Sequence, residues 1–343
     1  MRLIALVEAR DHVCYRYRVA AFRQALAARG WTLEAVPIAR RNRERLAQLR
    51  QLPESVVLLV QRRLLPLWYG YALRQRTRRL VFDFDDAVFL RDSNSRKSPS
   101  SARRLNRFAR FARMCDAVIA GNGYLAEKAA RIVPANRVHL VPTCIDTSRY
   151  ELAAHYRSGS ATRLAWIGSG STLASLQEAR PCIARASTLV GGLRLHAICD
   201  VFPQWSELEV KRCRWSTETE SAELAACDIG VSWLPEHPWS NGKCGLKVLQ
   251  YMATGLPVLA NPIGMHQQLV RQERTGMLAA GPDAWAEAMK RLADNPSLRQ
   301  DMGALGREVV QQDYSIARWG AAFVDILDQV VEATPETTAR HAA

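Results

Sequence analysis

The residues best suited to chemistry lie between Asn241 and Gly264, in the run NGKCGLKVLQYMATGLPVLANPIG. Lys243 and Lys247 are four apart, so they share a face if both are helical. The helix-compatible stretch Leu246 to Ala253 follows Gly242 and Gly245 and stops at Gly255. A lysine in the first turn of a helix opposes the helix dipole. A chain that keeps one there needs an anion to balance it, and helix N-termini bind anions through N–H groups that lack partners. A solvated basic face is the plainer reading, but it fits poorly with an apolar helix flanked by glycines.

Three other clusters could carry chemistry. Gly168-Ser169-Gly170-Ser171-Thr172 follows an apolar strand and precedes a helical stretch. Its N–H groups and hydroxyls suit a phosphate, and a βα turn with a Ser or Thr cap is the bland alternative. Val81-Phe82-Asp83-Phe84-Asp85-Asp86 puts three carboxylates at the end of an apolar strand. Capping of the next segment is its bland alternative. His12, Arg16 and Arg18 follow the first strand and could meet a substrate, although they also read as ordinary helix-start residues.

The elements that position these groups alternate. Apolar strand-length runs at 3–7, 33–38, 56–60, 80–84, 117–120 and 138–141 are separated by helical stretches, among them 17–29, 40–49, 102–114 and 125–132. After a polar stretch at 147–160, read as a linker, the alternation restarts with strands at 164–167, 193–198, 209–213, 229–233 and 257–260. Such alternation implies an α/β fold with parallel sheets wound on both faces. At 343 residues, two domains are the expectation.

The formal net charge of +14 calls for an anionic partner or surface. The eight cysteines show no CxxC spacing and no clustered histidines, so buried free thiols are expected and a metal site is not. The first strand is too short for a signal peptide, and Leu64 to Leu73 is too short to span a bilayer. A cytoplasmic protein is the expectation. Three arginine clusters (40–45, 74–79 and 96–113) could draw it to the inner face of an anionic membrane. There Leu64 to Tyr71 could dip into the interface, and Leu105, Phe108 and Phe111 share one face of a basic helix. In the bland reading these apolar residues are core.

The run from Gly242 to Gly264 resembles the donor-site signature of GT-B glycosyltransferases, close to glycosyltransferase family 4 (glycosyl transferases group 1). Gly245, Leu246, Met252, Ala253, Gly255, Pro257 and Val258 carry the match. The segments VHLVPTCID (138–146), ACDIGV (226–231), TGML (275–278) and Tyr314-Ser315 follow the same family pattern. The family usually has two glutamates eight positions apart across this motif; here those positions are Gly242 and Gln250.

The resemblance implies a GT-B architecture: two Rossmann-like doubly wound domains facing a cleft. Residues 1–155 would bind acceptor, residues 160–313 would bind a nucleotide-sugar donor, and the helix at 314–333 would pack back on the first domain. The implied reaction moves a sugar from a nucleotide-diphosphate sugar to a glycan or lipid-linked acceptor, with retention and without a metal, in bacterial surface polysaccharide or glycolipid assembly. No cofactor beyond the donor substrate is implied, and nucleic acid is not an expected partner. Lys243 and Lys247 would stabilise the departing diphosphate. Gly168, Ser169, Gly170, Ser171, Thr172, Asn241, Gly242, Gly245, Leu246 and Gln250 would hold the donor, with Trp215 flanking its base. His12, Arg16 and Arg18 would contact acceptor, and Asp85 or Asp86 would bind or deprotonate its hydroxyl. The same acidic run is similar to the metal-binding Asp-x-Asp of GT-A transferases, where Mg²⁺ or Mn²⁺ would sit, but the donor-site pattern downstream argues against that use. A GT-B-fold sugar-nucleotide epimerase and a non-catalytic basic protein binding nucleic acid or membrane are the rival readings.

Overall fold

The computed structural model describes residues 1–154 and 161–333. They form two compact units. The first contains Met1–Phe89, Ser101–Val141 and the chain from Trp319; the second contains Leu90–Ser100 and Pro142–Arg318. The first unit thus closes at Val141, earlier than residue 155, and an eleven-residue excursion from it belongs to the second. Asn94, on that excursion, donates its side-chain amide to the Ser171 carbonyl (3.4 Å).

The first unit holds a six-stranded sheet of β1 (Arg2–Val7), β2 (Thr32–Pro37), β3 (Val57–Gln61), β4 (Arg79–Phe84), β5 (Ala117–Ala120) and β6 (Val138–Leu140). Their order is β2-β1-β3-β4-β5-β6, and every neighbouring pair is parallel. The second unit holds β7 (Arg163–Ile167), β8 (Arg194–Cys199), β9 (Glu209–Arg214), β10 (Ile229–Ser232), β11 (Val258–Ala260) and β12 (Gly276–Leu278). Their order is β12-β11-β10-β7-β8-β9, again all parallel. Numbered within its own unit, the second order is 3-2-1-4-5-6 and the first is 2-1-3-4-5-6. Both are doubly wound orders, and each reverses direction beside its first strand. Ligands of such sheets bind at that switch point, outside the carboxyl ends of the strands.

The central strands are apolar on both faces because helices cover both. Every residue of β3 (VLLVQ) and β4 (RLVFDF) is buried. Phe82 and Phe84 of β4 stack on each other and meet Phe108 and Phe111 from the helix Ala102–Met114. Those two phenylalanines are therefore core, which removes them from the membrane-facing set; Leu105 stays outside, 50% exposed. The Leu64 to Tyr71 run splits in the same way. Leu65 and Tyr69 are buried, whereas Trp68 and Tyr71 on the helix Leu67–Arg76 are exposed.

Other expectations shift for local reasons. The single helix expected over 17–29 breaks into Val13–Arg18, a 3₁₀ turn at Ala20–Phe22 and Arg23–Ala28, because Val19 leaves helical geometry (φ −127°, ψ −53°) while its side chain is buried. The helix at 102–114 forms as expected, capped by the Ser101 side chain. The small turn around Gly276 is a true edge strand, β12. A Cβ at Gly276 would stand 2.2 Å from the Val258 carbonyl oxygen, so only glycine lets β12 approach β11. Residues 147–154 are not a free linker. The Tyr150 hydroxyl bonds Glu220, the Ala153 N–H bonds the Thr254 carbonyl (2.9 Å), and Arg307 donates to the carbonyls of Tyr150 and Thr147. The rest of the expected linker, 155–160, lies outside the described residues, as does the tail from Thr334.

The helix Ile316–Glu332 completes the first unit from Trp319 onward. Phe323 stacks on Phe22 with ring centroids 4.6 Å apart. Asp325 and Asp328 pair with Arg29, Asp328 also accepts from the Trp31 indole, and Arg79 donates to the Val331 carbonyl (3.3 Å). Among the described residues no helix is long and apolar enough to cross a membrane.

Candidate active site

The second sheet reverses direction between β7 and β10, so the loops leaving these two strands must meet. The β7 loop is Gly168 to Thr172. Gly168 is required by packing: a Cβ there would lie 2.6 Å from both the Trp166 ring and the Thr172 hydroxyl. Ser169 caps the next turn. Its N–H donates to the Thr172 hydroxyl (3.0 Å), and its own hydroxyl lies 2.8 Å from that of Ser171. The Gly170 N–H donates to an Asp200 carboxylate oxygen (2.7 Å). The amides of Ser169 and Gly170, expected to cradle a phosphate, are thus engaged internally, and the loop presents its serine hydroxyls.

The β10 loop runs through a 3₁₀ turn at Pro238–Gly242, capped by His237, into Lys243, Cys244 and Gly245. Lys243 is extended (φ −69°, ψ 136°), so the two lysines are not on one helix as their spacing suggested. The helix Leu246–Ala253 starts at Gly245, which adopts φ +71° and makes no side-chain cap bond. A side chain at Gly245 would also strike Leu269 at 2.3 Å. Glycine here therefore serves both the left-handed turn and the close packing. It also supplies no side chain to cap the first N–H groups of the helix, an arrangement that suits an anion.

Lys247 is in the first turn. Its ammonium lies 4.6 Å from the centre of the buried Trp166 ring, and Lys243 sits 5.6 Å from the Trp239 ring. Burial first, then repulsion from Lys243, lowers the Lys247 pKa to about 7. Among the described residues no carboxylate forms an ion pair with Lys247, and Lys243 and Cys199 are the charged or titratable neighbours that act on it. His266, one of the groups that feel Lys247, is itself held neutral by burial, with a pKa of about 4. It contacts the Ser232 hydroxyl (2.9 Å) at the end of β10 and the Asn261 carbonyl (2.9 Å). Asn261 in turn ties its side chain to both backbone groups of Leu234. Ser232, Asn261 and His266 were not foreseen as a group. Only the pairing of β10 with β11 brings Ser232 opposite Ala260 and so next to them.

Trp215, expected on the donor, bonds a residue the sequence did not single out, and Gln250, also expected there, reaches a second partner of that residue. Glu220 is buried and accepts from the Tyr150 hydroxyl (2.6 Å) and the Trp215 indole (2.7 Å). Gln250 reaches the same tyrosine oxygen at 3.5 Å. Asn241 is exposed and Gly242 buried at the end of the 3₁₀ turn. Gly264 packs against them so closely that a Cβ there would stand 2.9 Å from the Ser240 carbonyl oxygen.

The first unit makes its own switch point between β1 and β3. His12 caps the helix Val13–Arg18 by accepting the Cys14 N–H at Nδ1 (3.2 Å), and its Nε2 lies 3.6 Å from Glu8. Burial, then Arg62, lowers its pKa. With Nδ1 accepting, the neutral ring carries its proton on Nε2, so His12 as placed has no lone pair left for a general base. Arg16 stacks on Tyr17 (4.9 Å). Arg18 is buried and bonds Asp83 and the Val141 carbonyl, which withdraws it from acceptor contact and makes it a structural residue. Asp86 pairs with Arg62 (3.1 Å), a residue the sequence reading missed. Arg62 holds the uncommon φ of +58° and donates its N–H to the Asp83 carbonyl (2.6 Å). Asp85 acts on both His12 and Cys14. The acidic run is therefore countered by Arg18 and Arg62 rather than gathered as a metal cradle. Among the described residues one group does have metal-ligand spacing, and it lies elsewhere: His196, Cys213 and Glu223.

Comparison with known proteins follows the same division. The family described as "Glycosyl transferases group 1" matches residues 176–295, inside the second unit. A D-inositol 3-phosphate glycosyltransferase from Paenarthrobacter aurescens is 40% identical over 63 residues, covering 18% of this chain and 15% of that protein. The chain thus spans a small part of the length of the curated relatives it matches. Sucrose-phosphate synthase from Thermosynechococcus elongatus is similar in structure, with a TM-score of 0.75 at 17% identity over 97% of this chain and all of that one. The Anabaena HepE protein, solved in complex with UDP and glucose, has a TM-score of 0.69 at 12% identity over 96% of this chain and all of that one. The chain has the GT-B fold, and its residues 176–295 match the family model of glycosyl transferases group 1.

Proposed function

We propose that this chain transfers a sugar from a nucleotide-diphosphate sugar to a glycan or lipid-linked acceptor. The observation that carries this reading is Lys247: an ammonium depressed to about 7, beside a second lysine and without a carboxylate, in the first turn of a glycine-started helix at the switch point. A diphosphate supplies the missing charge and gains the N–H groups of the helix end. As the donor bond to the anomeric carbon breaks, negative charge grows on the leaving diphosphate, and Lys247 and Lys243 stabilise it. The serines of the 168–172 loop bond phosphate or sugar hydroxyls, and Gln250 bonds a hydroxyl in place of the family's glutamate. Asp85 binds or deprotonates the acceptor hydroxyl.

The UDP and glucose bound in the Anabaena structure support a nucleotide-sugar donor. Retention, metal independence and a role in surface polysaccharide or glycolipid assembly rest on family resemblance. A cytoplasmic location with contact at an anionic membrane surface is supported by the net charge of +14 and by exposed Trp68, Tyr71 and Leu105.

The test is a thermal-shift series with UDP, GDP and ADP, followed by a donor screen that measures nucleotide diphosphate release. Stabilisation by one nucleotide and turnover of its sugar conjugate are expected. No stabilisation by any of the three, with tight binding to DNA instead, would overturn the reading.

A further inference from the structure

The second sheet gathers three metal-ligating side chains that are far apart in sequence. His196 is mid-strand in β8, Cys213 is near the end of the edge strand β9, and Glu223 is on the helix Glu220–Ala225. One ligand atom from each lies within 4.8 Å of the other two. The register explains why: His196 pairs with Lys211 and Ile198 with Cys213, so these four share one face. Leu195, Ala197 and Cys199 point the other way, into the apolar core.

A second observation points to a ligand. His196 is 6% exposed, and its Nδ1 is buried with no hydrogen-bond partner. Buried polar atoms almost always have one. Glu223 is held by the Lys211 ammonium (3.0 Å), on a side chain that is 47% exposed and able to turn to solvent. A nitrogen, a thiolate sulfur and a carboxylate oxygen form a donor set that suits Zn²⁺ and does not suit Mg²⁺ or Ca²⁺.

We propose that His196, Cys213 and Glu223 bind a thiophilic divalent cation, Zn²⁺ being the best fit, as a clamp that ties β8, the edge strand β9 and the helix Glu220–Ala225 together. Binding forms one bond each from imidazole nitrogen, sulfur and carboxylate oxygen to the metal. The Cys213 thiol gives its proton to solvent, and the metal replaces Lys211 as the partner of Glu223. A fourth position is left for water. Glu220, which holds Trp215 and Tyr150, is one turn from Glu223, so the clamp also fixes that network. None of its three ligands is a residue assigned to sugar transfer, and the proposal stands without that reading.

The experiment strips the full chain with a chelator and titrates it with Co²⁺, whose spectrum reports its ligands. One equivalent should bind with a sulfur-to-cobalt charge-transfer band, and Zn²⁺ should displace it. Cys213→Ser should abolish the band. His196→Gln and Glu223→Gln should each weaken Co²⁺ binding at least tenfold, and Lys211→Met should not weaken it. Because Cys213 is buried, Glu223→Gln on the outer helix is the control against misfolding, compared at equal circular dichroism. Failure of the wild-type chain to bind, a band that persists in Cys213→Ser, or unchanged affinity in Glu223→Gln would each overturn the proposal.

Discussion

Lys247 gives the sharpest test of the donor site. Its ordinary pKa is 10.5 and its folded value is about 7, lowered by burial and by Lys243. A gap of that size corresponds to roughly 5 kcal/mol against the charged form, and the solvent that still reaches the side chain reduces it to a few kcal/mol. The sign for stability follows from proton counts. Between about pH 7 and 10.5 the unfolded chain binds more protons at this site, so stability rises with pH across that window. Below about pH 7 the folded state carries the buried charge at full cost. The sign for ligand binding is opposite, because a diphosphate wants the ammonium charged. At about pH 8 roughly nine-tenths of the lysine is neutral, so binding must take up close to one proton.

Nucleotide affinity should therefore fall about tenfold per pH unit from about pH 7.5 to 9. The nucleotide itself titrates near ~6, below that range. The assay is calorimetry with the nucleoside diphosphate that stabilises the chain most, at about pH 8 in buffers of different ionisation enthalpy. Lys247→Met should abolish the proton uptake and flatten the pH profile. It should also stabilise the free protein at neutral pH by a few kcal/mol, because it removes a costly charge. A wild-type affinity that is flat from about pH 7.5 to 9, or a slope that survives in Lys247→Met, would refute the assignment.

Three further outcomes follow from packing. Arg18→Met leaves Asp83 buried without its main cation and should cost about 3–5 kcal/mol in urea denaturation, with much of the loss recovered in Arg18→Met/Asp83→Asn. Gly230→Ala would put a Cβ 2.4 Å from the Tyr251 ring, whose hydroxyl bonds Ile167 and Val231. Its melting transition should reveal a loss of about 1–3 kcal/mol. Glu220→Gln turns one acceptor into a donor between the Tyr150 hydroxyl and the Trp215 indole. It should cost about 1–3 kcal/mol and shift the emission of Trp215.

The strands were legible because parallel strands buried on both faces read as continuous apolar runs, as in VLLVQ and RLVFDF. The twelfth strand was not, because three residues leave no periodicity and its position depends on the missing side chain of Gly276. At the site, glycine and lysine spacing marked the helix start correctly. It could not show that Gly245 takes φ +71° and leaves Lys243 outside the helix. Residues that act through distant pairing were invisible: Glu220 under Trp215, His266 against Ser232, Arg62 over Asp86. His196, Cys213 and Glu223 illustrate this most directly. Their spacing matches no metal motif; strand register brings His196 and Cys213 to one face, and the helix Glu220–Ala225 brings Glu223 to them.

The return of the helix Ile316–Glu332 to the first unit has a consequence for biosynthesis. Phe323 stacks on Phe22, Asp328 holds Arg29 and Trp31, and the Val331 carbonyl holds Arg79, so residues made early wait for partners made nearly three hundred residues later. On a ribosome adding on the order of ten residues per second, the first unit stands unfinished for tens of seconds while the second is still being made. Through that interval the Phe22 surface is uncovered and available to a chaperone. The second unit, whose segments from Pro142 to Arg318 are contiguous apart from one short excursion, is the first that can close.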